Sequence, residues 1–406
     1  MWIHIKSGCK HLTFPIQEIM MKKKAGINRR EFVKTALAGS AIGVLPVTLP
    51  RLNQEKTEKN KPIEIEYRKL GKTNLKVSAI GMGVMRTSDP AVIHHAIDSG
   101  INYFDTAHCY MNGNNEPIVG TVLKTRRKEV IIATKVHIAS ETEMIASVES
   151  SLKNLQTDVI DIIQLHSLKE AEHPQNEEAM NALSKLRQRG LVRFLGFTTH
   201  KNQAEVMAAG LETNFYDTIL VTYSYKTNDD IAKMIDKAAK AGLGIIAMKT
   251  QQGGFKSDKF KGMSPHQAAL RWVLQNKNIA TTIPSMVAFA HVDENVGTMR
   301  EKFGATDQKA LDQYGQLFEG EICNFCGSCD KLCPNEVPVQ DINRCLMYAK
   351  GYRDFDLALN TYRELHAVSP VTACVDCSNC IVHCESGLNI PRRLQEAREL
   401  FNPVLT

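Results

Sequence analysis

Apolar and polar positions alternate along this chain in a regular way. From Glu64 onward, short runs of Val, Ile, Leu and Phe are separated by longer stretches whose apolar residues recur every three or four positions. The short runs predict strands buried on both faces, and the longer stretches predict amphipathic helices. Tyr67 to Leu70 and Leu75 to Lys76 predict a short hairpin around Gly71. The first main strand is predicted at Val77 to Met82, with later strands centred on 103, 132, 162, 194, 219, 245 and 281. Helices are predicted between them, at Pro90–Ser99, Thr142–Leu155, Glu177–Gln188, Ala204–Ala209 and Asp229–Ala241. Gly100, Gly190, Gly210 and Gly242 stand where such helices should stop.

Eight strand–helix units, repeating about every 30 residues, predict an α/β chain built as a (β/α)8 TIM barrel. A doubly wound open sheet is the alternative. It needs a glycine-rich phosphate loop after its first strand, and Gly81-Met82-Gly83-Val84-Met85-Arg86 has no third glycine. The predicted domains are an N-terminal extension and linker over 1–62, the barrel over 63–318, and a small helical, cysteine-rich domain over 319–406. A polar helix, Ala305 to Phe318, is expected to carry the chain away from the barrel. Two more helices, Asp341–Ala349 and Asp356–His366, are expected within the last domain. Apolar residues make up 43% of the 406, enough for a large core without disulfide staples. The net charge of +6 is too small to imply a nucleic-acid partner. No apolar run reaches the length of an ordinary membrane-spanning helix.

Polar residues stand where three apolar strands stop. Asp105 ends one, with Tyr110 five residues on; Lys135 ends Ile131 to Lys135; His166 ends Val159 to His166. In a parallel barrel the carboxyl ends of the strands converge on one face, so these four side chains should meet. Taken alone, Asp105 and Tyr110 could equally be a loop cap and a packed ring. Together the four suit carbonyl reduction. A phenol titrating near 10 is a reluctant acid, and a neighbouring ammonium such as Lys135 favours its ionisation. Asp105 would keep that ammonium charged, and His166 would orient the substrate oxygen.

With these motifs in hand, the chain resembles the aldo-keto reductase family over roughly residues 64 to 300. The likeness rests on Asp105-Thr106-Ala107 leading to Tyr110 and Asn115-Glu116, on Ala133-Thr134-Lys135, and on Ser151 to Asp158 leading to Leu165-His166. The resemblance implies that Asp105, Tyr110, Lys135 and His166 are catalytic and that NAD or NADP is the hydride carrier. It places the nicotinamide amide near Thr198 and Thr199, where Ser-Asn is usual, with Tyr223 following the next strand. Met248 stands where many members have an aromatic ring. Ser285 falls in the phosphate-side loop, and Glu294 and Asn295 match the adenine-side pair. That loop lacks the lysine that often contacts the extra phosphate of NADP. The implied function is carbonyl/alcohol interconversion on a small polar substrate; a barrel that binds a ligand without turnover is the alternative.

Eight of the eleven cysteines form two runs. Cys323, Cys326, Cys329 and Cys333-Pro334 have the spacing of a bacterial ferredoxin, and Cys374, Cys377, Cys380 and Cys384 repeat it 51 residues later. The resemblance implies two 4Fe–4S clusters, with the fourth cysteine of each run serving the other cluster. The first would take Cys323, Cys326, Cys329 and Cys384; the second would take Cys374, Cys377, Cys380 and Cys333. Zinc is the alternative occupant. The clusters would either relay electrons to a partner protein or serve as structural or docking elements. Cys345 and Cys109 are expected to pack.

Asn28-Arg29-Arg30-Glu31-Phe32-Val33-Lys34 precedes the uncharged stretch Thr35 to Leu49. A basic segment followed by a short apolar one reads as an export signal, and the arginine pair resembles the twin-arginine type. The expected location is periplasmic, or anchored on the outer side by an uncleaved signal. Met20 or Met21 is the expected start.

Overall fold

The structure is a computed structural model that describes residues 63–402 apart from 261, 263, 369–373 and 375–379. The signal-like segment, Cys377 and Lys261 lie outside the described residues. A hairpin comes first: β1 (Tyr67–Lys69) pairs antiparallel with β2 (Lys76–Ser78). Eight parallel strands follow: β3 (Met82–Gly83), β4 (Tyr103–Asp105), β5 (Ile131–Val136), β6 (Ile160–Leu168), β7 (Val192–Thr199), β8 (Thr218–Thr222), β9 (Gly244–Met248) and β10 (Ile279–Thr282). Each pairs with the next, and bridges from Ile80 to Thr282 and from Gly83 to Ser285 bring the last strand round to the first.

Helices alternate with the strands: α1 (Pro90–Asp98), α2 (Asn115–Arg126), α3 (Glu141–Asn154), α4 (Glu177–Gln188), α5 (Gln203–Glu212), α6 (Asp229–Lys240), α7 (Pro265–Gln275) and α8 (Phe289–Gly297). Their starts follow capping chemistry. Ser140 and Glu143 form a reciprocal box at α3, and the side chains of Asn176, Asn228 and Ser264 cap α4, α6 and α7.

Two apolar layers hold the barrel. One lies between strands and helices and includes Ile132, Ile163, Leu183, Leu195 and Val273. The other fills the barrel interior with Tyr103, Ala133, Ile162, Leu220 and Ile246, and the hairpin closes it through Leu70, Leu75 and Val77. Three expectations need correction. Val77 belongs to the hairpin, because β2 pairs with β1, so the first barrel strand is only Met82–Gly83. Gly210 does not stop a helix. It lies inside α5, where a Cβ would come within 2.5 Å of the Phe197 ring. The helix α9 (Ala305–Leu317) does not leave the barrel. It packs on α7 through Ala268, Ala269, Ala310 and Leu311, and Arg271 pairs with Asp307 at 2.8 Å.

A second core forms beyond α9. Helices α10 (Val339–Lys350), α11 (Phe355–Val368) and α12 (Ile390–Phe401) bury Ile342, Leu346, Tyr362, Leu394 and Phe401 together. This domain sits over the carboxyl ends of the barrel strands. Gln340 Nε2 donates to the His200 carbonyl at 2.8 Å, and Lys201 pairs with Asp330 at 3.0 Å. Across the mouth, Arg86 holds Asp354 at 2.7 Å and donates to the Tyr352 carbonyl at 3.0 Å. Among the described residues, no helix is long and apolar enough to cross a membrane.

Candidate active site

The four strand-end residues converge. Asp105 is the last residue of β4, Lys135 the last but one of β5, and both side chains are buried, with their ion pair formed directly. Lys135 Nζ also donates to the Thr106 carbonyl at 2.5 Å, and Gln164 Nε2 donates to the other Asp105 oxygen at 2.9 Å. Burial opposes charge on Lys135, but Asp105 and Tyr110 together raise its pKa above the ordinary ammonium range. Lys135 Nζ lies 4.7 Å from the centre of the Tyr110 ring, and that ring meets His166 edge-on at 5.9 Å. His166 projects from β6 and stays neutral: burial, then Lys135, hold its pKa well below the usual histidine value.

Tyr110 departs from the sequence-based expectation. Lys135 does pull its pKa down, but burial is the larger effect and pushes it up to about 12. Cys109 also departs. It is exposed beside the tyrosine, its Sγ 3.6 Å from His166 Nδ1, rather than packed away. Partial desolvation in the cavity wall raises the thiol pKa to about 11, against the pull of Lys135. Cys345 is fully buried in the C-terminal core.

Asp105, Cys109, Tyr110 and His166 border a cavity of about 1220 Å³, above the usual range of about 300–1,000 Å³ for a small-molecule site. One arm runs past Met248, Ser285, Glu294 and Asn295 to Lys256 and His291. Ser285 Oγ is buried there without a hydrogen-bond partner, which leaves it for a ligand oxygen. Three other proposed cofactor residues do not line the cavity. Thr198 Oγ1 accepts from the Ser167 amide at 2.7 Å, and Thr199 Oγ1 donates to the Lys201 carbonyl at 2.8 Å. Tyr223 points outward, its ring on Trp272 and its hydroxyl on Asn276.

The roof was not legible in the sequence. Arg344 and Tyr348 on α10, with Tyr352, Asn360 and Glu364 beyond, line the cavity from the C-terminal domain. Facing them is Lys249, one residue past β9. Burial, then Arg344, push its pKa down to about 7.

Beside the roof, Cys323, Cys326, Cys329 and Cys384 border one small cavity. Cys326 and Cys384 each act electrostatically on the Cys323 and Cys329 thiols, and burial pushes Cys323 up to about 12. Four sulfurs from two distant runs around one hollow fit a tetrathiolate-held group. Cys333, Cys374 and Cys380 pack against the same domain core.

Residues 79–261 match the Aldo/keto reductase family. That span, from β3 to β9, is similar to an aldo/keto reductase domain. The chain is accordingly an oxidoreductase of that type. L-galactose dehydrogenase of Arabidopsis thaliana is 29% identical over 303 residues, 63% of this chain and 95% of the relative. Among solved structures, an aldo-keto reductase from Bacillus halodurans (TM-score 0.54, 24% identity) covers 62% of this chain and 96% of its own. An aldo-keto reductase of Klebsiella pneumoniae in complex with NADPH (TM-score 0.53, 24% identity) covers 62% and 95%. The likeness to these two structures concerns the fold. The reductase domain ends before the cysteine runs, so the C-terminal domain lies outside the family match.

Proposed function

We propose that the chain interconverts a carbonyl and an alcohol with a nicotinamide dinucleotide, NAD or NADP. One observation carries this: a buried ammonium, fixed by Asp105, beneath the Tyr110 ring at the rim of the cavity. The NADPH complex of the Klebsiella pneumoniae neighbour supports the choice of cofactor. When bound, the dinucleotide supplies the hydride to the carbonyl carbon. Tyr110 keeps its proton through the neutral range and delivers it from Oη to the carbonyl oxygen. Lys135 compensates the charge left on the phenolate, and Asp105 and Gln164 hold Lys135 in place. Neutral His166 donates a hydrogen bond that aims the substrate oxygen. Met248, Ser285, Glu294 and Asn295 would hold the dinucleotide along the cavity arm. Tyr110→Phe is expected to lower the rate of carbonyl reduction about 10²–10⁴-fold; full activity in that variant would end the reading.

The cysteine domain is proposed to hold two 4Fe–4S clusters, with the ligand sets given by the ferredoxin pattern. The quartet Cys323, Cys326, Cys329 and Cys384 supports the first set. The clusters would supply one-electron transfer, with a partner protein as donor or acceptor. Phe325, within the first run, packs on Lys249 at the cavity wall, which places that loop against the reductase site. Export by the twin-arginine route is part of the same proposal, since it carries folded, loaded proteins; N-terminal sequencing of the periplasmic fraction tests it.

A further inference from the structure

The cavity carries more positive charge than the reaction uses. Arg344, from the roof, and Lys249, from the barrel, line the same space as Tyr110 and His166. Arg344 pairs with Asp341 through a terminal nitrogen at 2.9 Å, while its Nε is buried without a hydrogen-bond partner. Lys249 Nζ lies over two rings, 4.8 Å from the centre of Phe325 and 5.3 Å from that of Tyr348. Rings stabilise the ammonium but leave its N–H donors for a ligand. His200 adjoins them, its Nδ1 also buried and unpartnered.

Several acids of the cavity are already engaged. Asp105 is taken by Lys135, Asp354 by Arg86, and Glu294 accepts from Ser264. Glu364 on α11 acts on Arg344 more weakly than Asp341 does. Burial and the guanidinium together depress Lys249, by more than Cys323 and Asp341 raise it.

We propose that Arg344 and Lys249 form a carboxylate clamp. The substrate is then a carbonyl compound that bears a carboxylate, of which a 2-oxo acid is the shortest, reduced to the hydroxy acid. The carboxylate is gripped by the roof while the carbonyl reaches Tyr110 and His166. This rests on the carbonyl-reducing reading above. Arg344 acts on both His166 and His200, Lys249 acts on His200, and Lys249 Nζ lies over Tyr348, one turn along α10 from Arg344. On that ground the clamp is assigned to the substrate's carboxylate and not to a phosphate of the dinucleotide.

The test is calorimetric titration of the full, cluster-loaded chain with oxamate and succinamate, each against its neutral ethyl ester, with and without saturating NADPH. At least one acid is expected to bind about tenfold more tightly than its ester, with NADPH present. Arg344→Gln and, independently, Lys249→Met are expected to bring that ratio to within about twofold; Arg344→Lys should restore part of it. Tyr110→Phe should lose turnover and keep the ratio, which separates failure of the clamp from failure of the reductase reading. Acids that bind no better than esters, a ratio unmoved in both variants, or a preference that NADPH abolishes would each overturn the clamp.

Discussion

Tyr110 stands beside an ammonium and still titrates upward, because burial penalises the phenolate more than Lys135 favours it. The phenol therefore keeps its proton until about pH 12. Burial moves His166 the other way, so its imidazole stays neutral below the normal histidine range. It follows that kcat/KM for reduction of a neutral carbonyl compound, which does not engage Lys249, stays flat from about pH 7 to about pH 9, with any acid limb below about pH 6.5. A stopped-flow pH profile bending inside that plateau would contradict both assignments. Gln164 matters through Asp105 alone. Gln164→Leu leaves a buried carboxylate oxygen without its donor and should cost about 1–3 kcal/mol of stability, read from urea unfolding. The tetrad was legible because a polar residue ending an apolar run is conspicuous in one dimension. Thr198 and Thr199 stand away from the cavity lining, because strand-end position does not say that one hydroxyl accepts from the Ser167 amide and the other donates to the Lys201 carbonyl.

At the scale of elements, the hairpin is the plug of the barrel. Leu70 is fully buried among interior residues, and Gly71 has φ +50° with a Cβ position 2.3 Å from the Gly244 amide nitrogen. Leu70→Ala is expected to cost about 2–5 kcal/mol, seen as a lowered urea midpoint with unchanged kcat. Gly71→Ala should be strained as well as crowded, and a variant as stable as the parent would mean that the hairpin does not seal the base. Seven strand centres could be located from sequence because strands buried on both faces are unbroken apolar runs. The eighth could not. Val77 and Ser78 continue the apolar pattern but pair with β1, and periodicity carries no information about pairing partners.

The whole molecule couples two cores across the barrel mouth. Arg86 ties the roof to one side and Gln340 and Lys201 to the other. Arg86→Ala should raise hydrogen exchange in α10 and at Tyr352–Asp354 while α3 and α4 keep their protection. Metal analysis after anaerobic reconstitution should return about eight iron atoms and as many sulfides per chain; stoichiometric zinc without sulfide would exclude the clusters. Cysteine spacing set the C-terminal region apart, yet nothing in it foretold packing against the barrel mouth. That depends on lone contacts such as Gln340 to the His200 carbonyl, which have no periodic signature.

Cys384 faces Cys323, Cys326 and Cys329 across one hollow. A ribosome must therefore translate beyond residue 384 before the fourth sulfur exists, and earlier products have three. A group held through all four sulfurs would be secured only once α10 and α11 have been synthesised.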